Sequence, residues 1–191
     1  MPETLWRASL VLALYRNRHV AHARYMQLAT TCSDGRPANR TVVFRGFLGE
    51  SDSIIVVTNL HSAKVAELQS IPWAGVCWYF PMSREQFRIT ARASIVDGNT
   101  AEAALTRCEI WRGLVESTRR SFTWPEPGSP RDSAQPFMES ETDPENPPAN
   151  FGLVVLHPVE VDHLELDGNP QNRWAYRLDE AGRWQGREVH P

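Results

Sequence analysis

The chain has 191 residues, of which 41% are hydrophobic and 23% are charged, a composition typical of one globular domain with its own core. A formal charge of −3 and an isoelectric point near 6.1 give no general attraction to nucleic acid or to an acidic membrane surface. The three cysteines include no C-x-x-C pair, which argues against a disulfide framework or a zinc site and favours reduced thiols.

The N-terminal segment lacks the pattern of a signal peptide. Glu3 and Arg7 interrupt it, and no small-residue cleavage site follows an apolar core. No apolar run approaches the ~20 residues that a membrane-spanning helix needs. These features favour a cytoplasmic protein.

The first predicted element is a helix from Thr4, which can serve as its N-cap, to about Arg18. His19 and His22 follow it without a carboxylate or cysteine within one turn, so they indicate a solvated helix end rather than a metal site. Apolar residues recur along the helix at a spacing of three or four: Leu5, Ala8, Leu12 and Tyr15.

A β-rich section follows, with predicted strands at about 25–31, 38–47, 54–58, 73–80 and 86–93. Asp34-Gly35 between the first two predicts a type I′ hairpin turn, in which both central residues need positive φ. The third strand is continuously β-branched and is expected to be buried on both faces. Most connections are tight turns and the one intervening helix is short, so an antiparallel barrel or sandwich is favoured over a doubly wound α/β fold.

The second half begins with a predicted helix over residues 100–120, whose apolar face contains Ala104, Leu105, Cys108, Trp111, Leu114 and Val115. Residues 125–148 then hold seven of the fourteen prolines and several acidic residues. Such a composition predicts a long loop or lid, at about 124–150, within a single domain. Four further strands are predicted at about 151–156, 159–166, 174–178 and 184–189, with a hairpin turn at 179–182.

The second strand carries two arginines, Arg40 and Arg45, although its Val, Thr and Phe residues are typical of a half-buried strand. Charged side chains are rarely buried without a partner, so this pattern predicts an anionic ligand or a carboxylate nearby. Residues five apart face opposite sides of a regular strand. Either the strand bends near Gly46, or the two arginines serve different parts of a ligand or different subunits.

A second candidate anion site lies where a helix begins directly after the third strand. Ser62 is a natural N-cap, and Lys64 adds a positive charge in the first turn. The free N–H groups and the positive end of the helix dipole at such a place bind phosphate readily. Taken alone, the segment fits an ordinary capped surface helix with a solvated lysine better.

Five segments occur in a specific order: Ala29-Thr30-Thr31 before Asp34-Gly35-Arg36-Pro37; Arg40-Thr41-Val42-Val43-Phe44-Arg45-Gly46-Phe47; Val57-Thr58-Asn59-x-x-Ser62-x-Lys64; Gln86-Phe87-Arg88; and Asn172-Arg173-Trp174-Ala175-Tyr176. Together they resemble the FMN-binding split β-barrels of the pyridoxamine 5′-phosphate oxidase-like family, over roughly residues 20–97 and 151–191. The resemblance implies a mainly β fold, a six-stranded antiparallel split β-barrel with flanking helices. It also implies a homodimer with two FMN molecules at the subunit interface.

The resemblance further assigns roles to individual residues. Arg40 is expected to bind the FMN phosphate, and Arg45 the flavin end, where the oxidases usually have lysine. Main-chain groups of the segment between them are expected to line the isoalloxazine ring: Thr41, Val42, Val43 and Phe44. The phosphate and ribityl chain would lie beside Val57, Thr58, Ser62 and Lys64, with Gln86 on the flavin and Arg173 approaching from the partner subunit. Guanidinium groups and a helix start are donors that match a phosphate monoester.

Departures from the oxidase pattern concern mainly the substrate. Ala63 replaces an arginine of the phosphate site, and Leu164 stands where the oxidases have a tryptophan beside the flavin. Asn169-Pro170-Gln171 replaces an Arg-x-His substrate motif, and the Pro-rich stretch at 124–128 lies near an unmatched substrate-phosphate segment. These differences predict FMN binding without oxidation of pyridoxamine phosphate, and they leave the catalytic residues unassigned.

Two function classes remain open from the sequence. One is an FMN-dependent oxidoreductase of a small molecule, with Trp124 and the Pro-rich segment shaping the substrate side. The other is a non-catalytic module that binds flavin or haem for storage or sensing, in which His61 is the first haem ligand to test.

Overall fold

The structure, a computed structural model, describes residues 5–131 and 140–191. The predicted cap Thr4 lies outside these ranges. The helices are α1 (Leu5–Arg16), α2 (Ala63–Ser70), α3 (Ala101–Arg112) and α4 (Glu116–Arg120), followed by a 3₁₀ turn at Ser121–Thr123. The strands are β1 (Tyr25–Thr31), β2 (Pro37–Phe47), β3 (Ile54–Asn59), β4 (Trp73–Phe80), β5 (Glu85–Val96), β6 (Phe151–Glu165), β7 (Asn172–Leu178) and β8 (Trp184–Glu188). No helix in the described ranges is long and apolar enough to cross a membrane.

The strands form one antiparallel sheet in the order β3-β2-β1-β4-β5-β6-β7-β8, and an additional pairing of β3 with β6 closes it. Strands β1 to β6 therefore make a six-stranded barrel, and β7 and β8 extend the sheet beyond it. This confirms the mainly β fold, the antiparallel barrel and the flanking helices that the sequence predicted.

Two clusters of buried side chains stabilise the fold. The larger one fills the barrel, with Trp78, Phe80 and Phe87 at its centre, and the inner face of α1 packs against it. The smaller one lies outside β3 and β6, where Trp111 and Phe122 pack against Phe151. Strand β3 is consequently buried on both faces, as its continuous β-branched sequence predicted.

Helix α1 packs through a different face from the one that the spacing predicted. Trp6, Leu10 and Ala13 are buried, whereas the predicted face is in water, with Leu5 74% and Tyr15 62% exposed. The large indole of Trp6 packs edge-on against Phe47 and Trp184 and so sets the rotation of the helix. The predicted face was wrong because the helix is apolar on more than one side.

The connection between β1 and β2 is longer than a two-residue hairpin. Cys32 N donates to Arg36 O at 2.8 Å, and Gly35 N donates to Cys32 O at 2.9 Å. Gly35 has φ of +84°, but Asp34 does not have positive φ, since Arg84 is the only non-glycine residue in the described ranges that does. The predicted type I′ turn is wrong, and the Asp34 carboxylate instead stabilises a longer loop by accepting hydrogen bonds from Arg36 N and Nε.

Strand β6 replaces two predicted strands and runs through Pro158 without a break. Thr90 of β5 pairs with Glu160, while the next residue, Ala91, pairs with Pro158, so Val159 is an extra residue on β6. A bulge of this kind accommodates a proline that cannot donate to the ladder. The sequence pattern around Pro158 therefore marked a bulge rather than a strand end.

The helix predicted over residues 100–120 is interrupted. Gly113 forms the C-cap of α3, and α4 begins three residues later; glycine has low helix propensity and commonly ends helices. Of the predicted apolar face, Trp111 and Leu114 are buried, whereas Leu105 and Val115 are exposed.

The described parts of the Pro-rich segment contain neither helix nor strand. Its second half is tied to α3, because Trp111 Nε1 donates to Asp143 O at 2.8 Å and Arg112 pairs with Glu145 at 2.8 Å. Its role as a lid remains a prediction.

Strand β2 bends at Arg45. Phe44 pairs with Val56 and Gly46 pairs with Ile55, so Arg45 is the extra residue of a bulge, and Gly46 adopts φ of +140°. The structure thus contains the bend near Gly46 that the sequence offered as one explanation for two arginines five residues apart.

Candidate functional site

Four of the residues singled out in the sequence come together where β3 ends and α2 begins, and we call them the basic cluster: Arg40, Thr58, Ser62 and Lys64. Lys64 Nζ donates to Thr58 Oγ1 at 3.1 Å and to Ser62 Oγ at 2.9 Å. The two hydroxyl oxygens are 3.1 Å apart, and both residues are buried. The strand places Thr58, and the helix start places Ser62 and Lys64.

Ser62 occupies the N-cap position of α2 with an extended backbone, but its hydroxyl makes no capping hydrogen bond. The side chain is turned to Lys64 and Thr58 instead. The serine hydroxyl therefore leaves the N–H groups of the first turn uncapped. A helix start in this state offers donors and a positive dipole end to an anion.

Arg40 is the member of the basic cluster that comes from β2. Its guanidinium contacts acceptors on other elements. Its Nη2 donates to Glu67 Oε2 at 2.7 Å, and its Nη1 contacts Thr30 Oγ1 and lies 3.4 Å from Leu28 O. Thr30 and Glu67 were missed by the sequence reasoning. Glu67 follows Lys64 by three residues, a spacing that puts both on one face of a helix and could have indicated it.

The charge of the basic cluster favours an anionic ligand, since two cations face one carboxylate. Burial and the nearby Arg40 guanidinium lower the pKa of Lys64, and Glu67 offsets this only in part. A phosphate group bound between Lys64 and Arg40 would remove this penalty and satisfy their remaining donors. The donor set therefore fits the phosphate of FMN.

Arg45 is a second place with uncompensated positive charge. Its Nε is buried and has no hydrogen-bond acceptor within residues 5–131 and 140–191. Burial, followed by the charge of Arg24, lowers its pKa, and the Arg24 guanidinium lies 5.8 Å from the centre of the Phe44 ring. An anionic or electron-rich group beside Arg45 would satisfy the orphaned donor.

The residues between these arginines alternate in direction. Val42 and Phe44 point into the barrel core, so only their main chain could contact a ligand. Thr41 is exposed and accepts a hydrogen bond from Gln27 Nε2 at 3.0 Å, and Val43 is half-buried. The side chain of Val57 packs against the second core cluster, on the opposite face of β3 from Thr58.

Gln86 and Arg173 do not contact the basic cluster within this chain. They lie on the outer face of the sheet, where Gln86 pairs with Leu164 and Leu164 pairs with Arg173. Leu164, which the resemblance aligns with a tryptophan of the oxidases, therefore lies directly between them. Cys77 Sγ lies 3.8 Å from Gln86 Oε1.

Arg173 is fixed by Asp162, a residue that the sequence reasoning missed. Arg173 Nε and Nη2 donate to Asp162 Oδ2 at 3.0 and 2.8 Å, and Arg88 Nη2 is 3.0 Å from the same oxygen. Burial raises the pKa of Asp162, but the two guanidinium groups more than offset this and hold it below its usual value. A groove of about 740 Å³ borders this ion pair and is also lined by Tyr176, Arg177, Gly186 and Arg187.

Glu85, His163 and Glu165 each place one potential metal-ligand atom within 4.8 Å of the others. His163 Nε2 lies 2.9 Å from Glu85 Oε2, and the buried Nδ1 has no partner in the described part of the chain. A metal on Nε2 would leave the ring proton on Nδ1, where no acceptor receives it, whereas metal-bound histidines normally donate that proton. The group is therefore better explained as a hydrogen-bonded pair in the barrel interior.

The comparisons with known proteins agree with this geometry. The family model for the FMN-binding domain of pyridoxamine 5′-phosphate oxidase matches residues 3–97. Pyridoxine/pyridoxamine 5′-phosphate oxidase 2 of Arabidopsis thaliana is 36% identical over 191 residues, with 97% of this chain and 96% of the relative covered. The chain belongs to the pyridoxamine 5′-phosphate oxidase family. The resemblance seen in the sequence is confirmed, and FMN is the cofactor of this family's domain.

Solved structures show the same fold. A pyridoxamine 5′-phosphate oxidase-related, FMN-binding protein of Nostoc punctiforme has a TM-score of 0.94 and 42% identity, with both chains fully covered. PhzG of Burkholderia lata, solved with tetrahydrophenazine-1-carboxylic acid, has a TM-score of 0.72 and 20% identity, with 97% of this chain and 89% of that chain covered. The second likeness concerns the fold alone.

Proposed function

We propose that this member of the family is a homodimeric, FMN-dependent oxidoreductase that acts on a small molecule. The observation that carries the proposal is uncompensated positive charge at two places along β2, the basic cluster around Arg40 and the half-buried Arg45. They are five positions apart in β2, about 16 Å at the rise of a regular strand. FMN presents a phosphate at one end and, at the other, a ring whose carbonyl oxygens and nitrogens accept hydrogen bonds, and the two places supply cationic donors to both ends.

At the phosphate end, Arg40 and Lys64 supply charge-assisted hydrogen bonds, and Thr58 and Ser62 supply hydroxyl groups. The uncapped N–H groups of α2 add further donors. Val57 contributes through its main chain, because its side chain faces the second core cluster.

At the ring end, main-chain groups of Thr41 to Phe44 and the Gln86 amide orient the flavin, and Arg45 places a positive charge beside it. Bound FMN supplies the redox chemistry by accepting a hydride and passing electrons to an acceptor, while the protein tunes it through charge and hydrogen bonds. A cation near the ring stabilises the negative charge that reduction adds. Arg45 is therefore proposed to favour flavin reduction.

A shared site at a dimer interface is supported by the outer face of the sheet. Tyr25, Trp73 and Tyr79 lie exposed on the outer faces of β1 and β4, and aromatic side chains of this kind are enriched at interfaces. Gln86 and Arg173 lie on the outer face of the same sheet, away from the basic cluster of their own chain. The partner subunit is proposed to bring its Arg173 to the flavin.

The substrate is proposed to differ from pyridoxamine 5′-phosphate. Leu164 lies between Gln86 and Arg173 where the oxidases have tryptophan, and Asn169-Pro170-Gln171 lacks the charged substrate motif. The relatives are named for pyridoxine and pyridoxamine 5′-phosphates, so both compounds are the first to assay. If the protein oxidised pyridoxine or pyridoxamine 5′-phosphate with a kcat of about 10 per second, the median value for enzymes, this part of the proposal would be wrong.

The alternative is a non-catalytic binding module, and the absorbance of the purified protein distinguishes the two. Flavin absorbance near ~450 nm that bleaches with reduced nicotinamide or with a substrate supports the oxidoreductase. A flavin that stays oxidised with every donor supports a binding module, and a Soret band indicates haem. His61, the haem ligand to test, is 59% exposed and lies 3.9 Å from Glu126, a polar surface position unlike a ligand pocket.

The phosphate assignment is tested with Arg40→Ala. Arg36→Ala is the matched control, because the Arg36 side chain lies in an exposed loop and pairs there with Asp34. Loss of a charge-assisted contact of about 2–3 kcal/mol should raise the Kd for FMN by about 30- to 150-fold. Fluorescence titration of the apoprotein and FMN content per subunit measure this. Equal FMN content in the two variants would show that Arg40 does not bind the phosphate.

A further inference from the structure

Arg40 belongs to a closed ring of hydrogen bonds with Thr30 and Glu67. Arg40 Nη2 donates to Glu67 Oε2 at 2.7 Å, the Thr30 hydroxyl donates to the same oxygen at 2.5 Å, and Arg40 Nη1 contacts Thr30 Oγ1. The three residues come from β2, β1 and α2. The ring therefore fixes the guanidinium relative to three separate elements.

The ring leaves part of Arg40 free to bind a ligand. A guanidinium has five N–H donors. The contacts with Leu28 O and Thr30 use both N–H groups of Nη1, and Glu67 uses one of Nη2. Among the described residues no acceptor contacts Nε–H or the second N–H of Nη2, two neighbouring groups that can donate to two oxygens of a phosphate.

We propose that Thr30 and Glu67 are positioning residues that hold Arg40 ready for the FMN phosphate, an inference that rests on the proposed function of the basic cluster. A long side chain that is already fixed loses little conformational entropy on binding, so pre-orientation increases affinity. The hydrogen-bonded ring of Arg40, Thr30 and Glu67 can affect only the binding of the FMN phosphate. It should therefore matter for FMN and not for riboflavin, which lacks the phosphate.

The ring is suited to this task because its carboxylate remains charged. Burial raises the pKa of Glu67, but the hydrogen bonds from Thr30 and Arg40 more than offset this and hold it below its usual value. In the described part of the chain, the other charged or titratable groups around it are Lys64 on the same helix and Cys32, directly after β1, whose Sγ is 3.9 Å from Glu67 Oε1. Thr30 itself is buried, 4% exposed.

Thr30→Val is the sharpest test, because it removes the hydroxyl without changing volume, charge or strand propensity. We expect the Kd for FMN to rise about 5- to 10-fold, the effect of losing about one net hydrogen bond, while the Kd for riboflavin stays at the wild-type value. Thr30→Ser keeps the hydroxyl and should restore wild-type FMN binding. Thr30→Ala serves as a second variant with the same expectation if valine disturbs the fold. Both affinities are measured by quenching of flavin fluorescence in the apoprotein.

The outcomes separate this inference from the proposed function. If the valine and alanine variants lose FMN and riboflavin affinity equally, the ring stabilises the packing of α2 against the barrel and does not position Arg40 for the phosphate. Wild-type FMN binding in both, together with weakened binding in Arg40→Ala, would overturn the positioning role and leave the phosphate site standing. Undiminished FMN binding in Arg40→Ala would instead overturn the phosphate site itself.

Discussion

Glu85 and His163 form a buried acid–base pair inside the barrel. The His163 imidazole stacks on the Phe87 ring with 4.1 Å between the ring centres. Its Nε2 lies within hydrogen-bonding distance of Glu85 Oε2, at 2.9 Å. Burial raises the pKa of Glu85, but hydrogen bonds from His163 and Ser83 and the charges of His163 and Arg16 more than offset this and lower it overall. The pair therefore stabilises the folded state in a way that depends on pH.

Glu85→Gln should lower the free energy of unfolding by about 1–3 kcal/mol near pH 7, because a buried charge-assisted hydrogen bond is lost. A carboxyl whose pKa is depressed by folding stabilises the protein fully above its ordinary value of 4.5, and this contribution disappears as the pH falls further. The difference between wild type and variant should thus shrink below about pH 4.5. Urea unfolding between pH 3 and 7 measures it, with the exposed Glu180→Gln as control. A difference that is constant over this range would contradict the assignment.

At the candidate site, the sequence identified the donors better than their partners. Arg40, Ser62 and Lys64 could be found because charge on a buried strand and a helix start after a strand are local patterns. The helical spacing from Lys64 could have indicated Glu67 as a neighbour, but not its contact with Arg40, and Thr30 gave no such signal. Both contacts depend on the β1–β2 register and on how α2 lies against β1. For the same reason Asp162, which fixes Arg173 from the neighbouring strand, gave no local signal.

Among the secondary-structure elements, β6 supports the turn that carries the basic cluster. A Cβ at Gly152 would lie 2.2 Å from Leu60 Cδ2, 2.7 Å from Leu60 Cγ and 3.2 Å from Val96 O. Leu60 precedes Ser62 by two residues, and its N donates to Asn150 O at 2.8 Å. The absence of a side chain at Gly152 therefore allows the turn before α2 to pack against β6.

Gly152→Ala should destabilise the protein by about 1–3 kcal/mol and weaken FMN binding, because Leu60 must move and takes the start of α2 with it. Gly75→Ala is a matched control in β4, since its Cβ would lie 3.8 Å from Ala29 Cβ, an ordinary contact. Thermal unfolding and FMN titration of both variants measure the two effects. Wild-type FMN affinity in a destabilised Gly152→Ala protein would show that the turn is positioned independently of β6.

Most strands could be predicted because their alternation and their turn residues are local. The errors arose where tertiary packing decided among locally acceptable patterns. Trp6 rotates α1 away from the Leu5 and Tyr15 face, and the bulge at Pro158 joins two predicted strands into one. Barrel closure depends on the pairing of β3 with β6, about a hundred residues apart in sequence. The strand pattern left a barrel and a sandwich open, and only the family resemblance chose the barrel.

At the scale of the whole molecule, the proposed dimer makes flavin binding depend on assembly. Tyr79 is 47% exposed on the outer face of β4, and its backbone pairs with Gln86 of β5. Buried aromatic side chains near the centre of an interface commonly carry much of its binding energy. A carboxylate at such a position would be buried without a partner in the dimer, which costs several kcal/mol.

Tyr79→Glu should therefore shift the protein toward monomers and reduce FMN per subunit in parallel, because the proposed site takes Arg173 from the other chain. Tyr15→Glu is the control, since Tyr15 is similarly exposed but lies on α1. Sedimentation velocity gives the monomer fraction, and absorbance near ~450 nm gives the flavin content. Raising the concentration of the variant should restore dimer and flavin together, which direct damage to the Gln86 contact would not do. A monomer that retains stoichiometric FMN would rule out a shared site, because all donors would then come from one chain.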